Sequence, residues 1–127
     1  MLFVKVIRQI NKDMRSELKM ELTSSQIHLL RLIEQHGPLK MSELAEELRI
    51  TLGGVTSLAN RMDKANLIKR KRSEEDRRIV RLELTEEGVA FLDHLTEARN
   101  KTFSRRFGKL TPDQLAELKH ICKKMLD

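Results

Sequence analysis

The chain has 127 residues, with 25 Lys+Arg against 19 Asp+Glu, one cysteine, four phenylalanines and neither tryptophan nor tyrosine. One cysteine excludes an internal disulfide and a cysteine-rich zinc site, and so few aromatics argue against recognition by base stacking. No apolar run approaches the roughly 20 residues of a membrane helix, and the charge-broken N-terminus has no small-residue cleavage site. The expectation is therefore a cytoplasmic, basic, mostly helical protein that stays off the membrane.

Phe3, Ile7, Ile10, Met14 and Leu18 recur at helical spacing and predict a first helix to about residue 19. A second start follows, where Thr23 can cap, Gln26 can reach back, and Leu22 and Ile27 form a hydrophobic staple. That helix turns Ile27, Leu30 and Ile33 inward and stops at Gly37-Pro38, read as a left-handed cap. Ser42 is expected to cap a short third helix with Leu44, Ala45 and Leu48 inward. Thr51 opens a fourth, with Val55, Leu58, Ala59 and Met62 on one face, ending near Asn66. Then the period changes. Leu67 to Arg72 is extended and basic, and Ile79 to Leu84 alternates, with Val80, Leu82 and Leu84 on one face. The polar loop Ser73 to Arg78 joins them as an open hairpin. Thr85 caps a fifth helix to about Phe107, with Leu92, Leu95, Arg99 and Phe103 as its stripe. Thr111-Pro112-Asp113-Gln114 starts a sixth, presenting Leu115, Leu118, Cys122 and Met125.

Two short helices joined through Leu48-Arg49-Ile50-Thr51 and followed by a hairpin predict a winged helix-turn-helix. The fold class is mainly α with a small β-hairpin wing (α+β). Residues 61–81 hold nine basic groups against four acidic ones, a polyanion footprint that by itself says nothing of sequence reading. The outer face of the fourth helix offers Gly53, Gly54, Thr56, Ser57, Asn60, Arg61 and Lys64. Small residues at its start let backbone approach phosphate, and the others are hydrogen-bonding types suited to a groove of double-stranded DNA. A merely solvated face is the plainer account of Thr56, Ser57 and Asn60; the basic hairpin beside them favours groove recognition.

Three segments carry a family likeness. They are Ser42-Glu43-Leu44-Ala45-Glu46-Glu47-Leu48, the run from Val55 through Arg70, and Asp76-Arg77-Arg78-Ile79-Val80-Arg81-Leu82-Glu83-Leu84-Thr85-Glu86-Glu87-Gly88. The last has the form Asp-x-Arg, an apolar strand, then Leu-Thr-x-x-Gly. Together they resemble the MarR family of bacterial transcription regulators. The resemblance implies a homodimeric, sequence-specific DNA-binding protein, read here as a repressor on a pseudo-palindromic operator. Its implied layout is a dimerisation helix over residues 1–22, a winged helix over 23–88 and dimerisation helices over 89–127. It further implies that Arg78 enters a minor groove, with Asp76 orienting it and Arg77 beside it. A narrow minor groove suits arginine because its potential is strongly negative. The plainer account is that Asp76 and Arg78 only pin the wing turn. Lys69, Lys71 and Arg72 are read as phosphate contacts, which position a protein without reading sequence.

Phe3, Ile7, Ile10, Leu115, Leu118, Cys122 and Met125 are the expected dimer contacts, because the first, fifth and sixth helices carry more apolar surface than one small domain covers. Some relatives bind small anionic aromatics and others sense oxidants through a cysteine near the first helix, so a small-molecule effector belongs to what the resemblance implies. Cys122 lies instead on the apolar stripe of the last helix and reads as a small core or dimer-contact residue. His120 is two residues from it, on another face, while His28, His36 and His94 are scattered, so neither metal nor cofactor is expected. There is no Gly-rich phosphate loop, Gly-x-Ser-x-Gly or His-Glu-x-x-His, which argues against an enzyme. The alternative from another class is a winged helix used as a protein–protein interaction module. Such a module needs an apolar or aromatic anchor on the fourth helix, where the expected face is Thr, Ser, Asn and Arg.

Overall fold

A computed structural model describes residues 1–17 and 22–127; Leu18, the end of the first apolar series, lies outside the described residues. In chain order the elements are α1 (Leu2–Glu17), α2 (Ser24–His36), β1 (Leu39–Lys40), α3 (Met41–Leu48), α4 (Leu52–Lys64), β2 (Ile68–Arg72), β3 (Val80–Leu84), α5 (Glu86–Phe107) and α6 (Pro112–Leu126). They fall into two compact units, Met20–His94 and Met1–Lys19 with Leu95–Asp127.

The first unit is a winged helix. Local capping sets its helix starts: Thr23 Oγ1 accepts from the Gln26 N–H at 3.3 Å while Gln26 Oε1 accepts from the Thr23 N–H at 2.8 Å. At the start of α4, Thr51 Oγ1 accepts from the Gly54 N–H at 3.0 Å. Leu29 and Leu30 of α2, Leu44 of α3, Val55, Ala59 and Met62 of α4, Ile68 of β2 and Leu82 of β3 are all buried and form the core. Ile27, expected inside, is half-buried, and Leu29 and Leu32 are buried in its place, because α2 is covered over a broader arc than one stripe. The turn between α3 and α4 is made by Arg49 in the left-handed region, φ 56° and ψ 44°. Ile50 N–H then donates to Ala45 O at 3.1 Å, closing the end of α3.

Three expectations are corrected. Ser42 does not cap α3; the helix begins at Met41, and the Lys40 N–H donates to Glu43 Oε1 at 3.0 Å. The cause is β1, which holds Leu39 and Lys40 extended against β3 and so sets the helix start two residues earlier. The sheet is accordingly three-stranded and antiparallel, in the order β1-β3-β2, where a two-stranded hairpin was expected. Gly37 has φ 79° but ψ −164°, outside the left-handed helical well, although a positive φ still selects glycine there.

The second unit contains α1, the C-terminal part of α5 and α6. The buried stripe of α5 runs Leu92, Leu95, Ala98, Thr102. The expected member Arg99 is exposed, because steps of three, three and four residues track the inner face and Arg99 lies one residue off it. Phe103 is half-buried and stacks on Phe107, with ring centroids 5.4 Å apart. Asp13 of α1 accepts from Arg106 Nε at 2.8 Å and Nη2 at 2.6 Å, both at Oδ2, while Gln9 Nε2 donates to its Oδ1 at 2.9 Å. Thr111 and Gln114 form a second reciprocal cap at the start of α6. No residue of α6 is buried, so Cys122 is exposed and the core reading of that residue is withdrawn.

Candidate nucleic-acid interface

The buried side of α4 fixes what its other side presents. With Val55, Ala59 and Met62 inward, Gly53, Thr56, Ser57, Asn60, Arg61 and Lys64 are exposed. The two glycines differ. A Cβ on Gly53 would meet only Thr51 Oγ1, at 3.9 Å, so that backbone is open to an approaching ligand. A Cβ on Gly54 would come within 3.3 Å of Ile50 Cδ1 and 3.4 Å of Thr51 Oγ1, so the cap accounts for its small size. Thr56 donates its hydroxyl proton to Leu52 O at 2.9 Å, which leaves its methyl group and lone pairs for a partner. Leu52 and Ile50 are exposed at the start of α4, an apolar edge that the sequence reading did not anticipate. Apolar groups there suit a thymine methyl as well as a protein surface.

The wing loop is closed by Ser73 N–H to Ile79 O at 2.9 Å and Ile79 N–H to Asp76 O at 3.0 Å. Within it, Asp76 grips Arg78 three ways. Oδ1 accepts from the Arg78 N–H at 3.0 Å and from Nε at 3.1 Å, and Oδ2 accepts from Nη2 at 3.1 Å. These bonds, the side-chain pair first and the backbone N–H second, hold the Asp76 carboxyl below the ordinary carboxylate range. The Arg78 side chain is nonetheless 90% exposed, so it projects from the wing with its direction already set. Arg72 donates to the Arg77 carbonyl and braces the same loop.

The sheet adds a basic row. The register aligns Lys40 of β1, Arg81 of β3 and Lys71 of β2 as cross-strand partners, whose side chains therefore share a face. Like charges directly opposite one another destabilise a sheet, and the nearest relief is two residue pairs away on the same face, where Lys69 Nζ lies 3.3 Å from Glu83 Oε1. Lys40 and Arg81 were not among the expected contacts; Arg81 faces Lys71 through the β2–β3 pair, and only the pairing of β1 with β3 brings Lys40 to this face. Arg70, also unassigned, projects from the opposite face of β2 and bonds Asn60 and Asp63 of α4. A run of basic residues carries no signal that would single out one of them.

The residues expected at a dimer contact all belong to the other unit. Phe3, Ile7, Leu115, Cys122 and Met125 are exposed, Leu118 is half-buried and Ile10 is buried within the single chain. Among the described residues no three His, Cys, Asp or Glu side chains are grouped so as to hold a metal ion. Among them, too, no helix is long and apolar enough to cross a membrane.

The model of the MarR family matches residues 22–80 of this chain. The HTH-type transcriptional repressor MdtR of Bacillus subtilis is 32% identical over 124 residues, which cover 98% of this chain and 78% of MdtR. The crystal structure of the YusO protein from Bacillus subtilis superimposes with a TM-score of 0.89 at 30% identity, covering 98% of this chain and 89% of that one. A MepR mutant from S. aureus, solved with an oligodeoxyribonucleotide bound, shares the fold with a TM-score of 0.79 at 22% identity, over 98% of this chain and 93% of its own.

Proposed function

The chain belongs to the MarR family of transcriptional regulators, and we propose that it is a homodimeric repressor that binds a pseudo-palindromic operator in the cytoplasm. Each α4 lies in a major groove, each wing places Arg78 in the adjoining minor groove, and Lys69, Lys71, Arg77 and Lys64 meet phosphates. The observation that carries this reading is the pairing of two differently equipped surfaces in one rigid scaffold. An exposed helix face of Thr56, Ser57, Asn60 and Arg61 stands beside a wing whose Arg78 is held by Asp76 yet 90% exposed. Preorganised donors of this kind lose little freedom on binding. The exposed apolar residues of α1 and α6 supply the dimer contact, and the two-fold axis relates the half-sites. Release by a small-molecule effector belongs to the same reading, as does the MepR complex with DNA and the repressor function of MdtR.

The test is selection of bound duplexes from a random double-stranded library at near-physiological salt. An inverted repeat with half-sites about one helical turn apart is the expected result. Binding that is salt-sensitive but selects no sequence would reduce the protein to a general polyanion clamp. On the selected operator, Arg78→Ala should weaken binding about tenfold or more while leaving the dimer intact. Unchanged affinity would remove the wing from the interface.

A further inference from the structure

Asn60 and Arg70 lie on different elements, ten residues apart. Arg70 pairs across the sheet with Leu82, which is buried, so its side chain starts on the inner face of β2 and reaches α4. There Nη2 donates to Asn60 Oδ1 at 2.8 Å and Nη1 donates to Asp63 Oδ2 at 3.2 Å. A guanidinium has five N–H donors and no acceptor. The atom of Asn60 that faces it must therefore be the carbonyl oxygen, and the group left for a ligand is Nδ2H2. Asp63 holds the second arm of the guanidinium and fixes its plane.

We propose that Arg70 is a specificity-determining residue: by holding Asn60 Oδ1 it makes Asn60 a donor-only reader of base edges. The proposal rests on α4 being the recognition helix. A free asparagine reads adenine with both ends of its amide, accepting from N6 and donating to N7. Here the oxygen is already bonded to a cation. At its remaining lone pair, the adenine amino group would meet a fixed positive charge, donor against donor. Guanine presents acceptors at both N7 and O6, and thymine presents O4. Asn60 Nδ2H2 and the remaining N–H groups of Arg70 match those edges, so the pair turns a residue type associated with adenine toward guanine or thymine. Cytosine, which offers a donor, is refused for the same reason as adenine.

The test uses a random duplex library selected in parallel by four full-length proteins: wild type, Asn60→Ala, Arg70→Met, and the double variant. Methionine keeps an apolar stem and removes the donors. One position per half-site should favour guanine or thymine with wild type and lose its preference with Asn60→Ala. With Arg70→Met that same position should move toward adenine by about tenfold, the worth of a restored two-bond contact, and the double variant should abolish the shift. A role for Arg70 in holding the fold alone would weaken all sequences equally and change no base preference. An Asn60-dependent position unchanged by Arg70→Met would overturn the proposal and leave the operator reading standing, as would a wild type that already selects adenine there. Equal loss on every sequence with Arg70→Met, whether from a lost phosphate contact or a loosened fold, would overturn it too. Selection of no sequence by wild type would instead overturn the operator reading, and this proposal with it.

Discussion

In the winged unit, residues 20–94, burial of the apolar side chains leaves Ile50, Leu52 and Val89 as the exposed large hydrophobics among the described residues; the helical unit leaves ten, from Met1 through Ile7 on α1 and from Leu115 to Leu126 on α6. Both units are made of amphipathic elements with good caps, so local sequence quality does not separate them. What separates them is closure. The winged unit has a sheet edge, three helices and the start of α5 to wrap one core, and its remaining surface is polar and basic. In the helical unit α6 has no buried residue at all, with Met125 68% and Leu126 86% exposed. Exposed apolar area is worth about 25 cal/mol per Å² once covered, so this surface favours association where the winged surface favours an anionic ligand. The division of labour proposed above follows from that difference.

Breaking closure in the winged unit should have the largest effect. Gly88 is buried, and a Cβ there would lie 2.1 Å from Leu67 O, the same carbonyl that accepts from the Thr85 N–H at 3.1 Å. Because that oxygen is backbone, relief requires moving the turn that ties β2 to the start of α5. Gly88→Ala should destabilise the protein by about 3 kcal/mol, read as a lowered urea midpoint. A change within a few tenths of a kcal/mol would mean the turn yields freely. The next effect belongs to the open unit. Ile7→Lys places a charge on the exposed face of α1 and should weaken self-association by about 2 kcal/mol, with light scattering against concentration moving from dimer to monomer. A dimer that survives Ile7→Lys unchanged would place the contact elsewhere.

The same contrast governs what the sequence disclosed. The Thr23–Gln26 and Thr111–Gln114 caps were legible because each is complete within four residues. The wing was legible as two extended runs around a polar loop. β1 was not, since Leu39 and Lys40 are a strand only by virtue of Leu82 and Arg81, some forty residues on. Missing that pairing also misplaced the cap of α3 at Ser42. At the site, the outward face of α4 could be read from the period of Val55, Ala59 and Met62. The link from Arg70 to Asn60 could not, because it depends on a chain reversal at Asn66, φ 60°, which brings two elements side by side. Sequence periodicity gives the faces of elements; it gives nothing about which side chains meet across a turn.

A smaller effect tests the interior of the helical unit. Thr102 is wholly buried, and its Oγ1 has no hydrogen-bond partner among the described residues. A buried hydroxyl without a partner retains its desolvation cost and gains nothing in return. Thr102→Val, nearly the same shape without the hydroxyl, should raise stability by about 1 kcal/mol, visible as a higher urea midpoint. A loss of stability would show that the hydroxyl is bonded in solution.

The finest comparison sets one carboxylate from each unit against the other. Asp13 is held below its ordinary pKa by hydrogen bonds from Gln9 and then Arg106, and Asp76 by the side chain and then the backbone N–H of Arg78. A depressed folded pKa means that the unfolded chain takes up its proton first. The stabilisation is therefore fully present above the unfolded value near pH 4 and is lost as pH falls through the lower folded value. Unfolding midpoints measured between about pH 5 and pH 2 should fall less steeply for Asp13→Asn than for wild type. Asp76→Asn should flatten the same curve, but the two differ in a second readout. Asp13 joins α1 to α5, so its loss should loosen α1 and raise the dimer dissociation constant, whereas the Asp76 carboxylate bonds Arg78 within the wing. Asp76→Asn should leave association untouched and weaken operator binding. If both substitutions moved both properties alike, the two surfaces would be one cooperative device, and the assignment of separate tasks to the two units would fall.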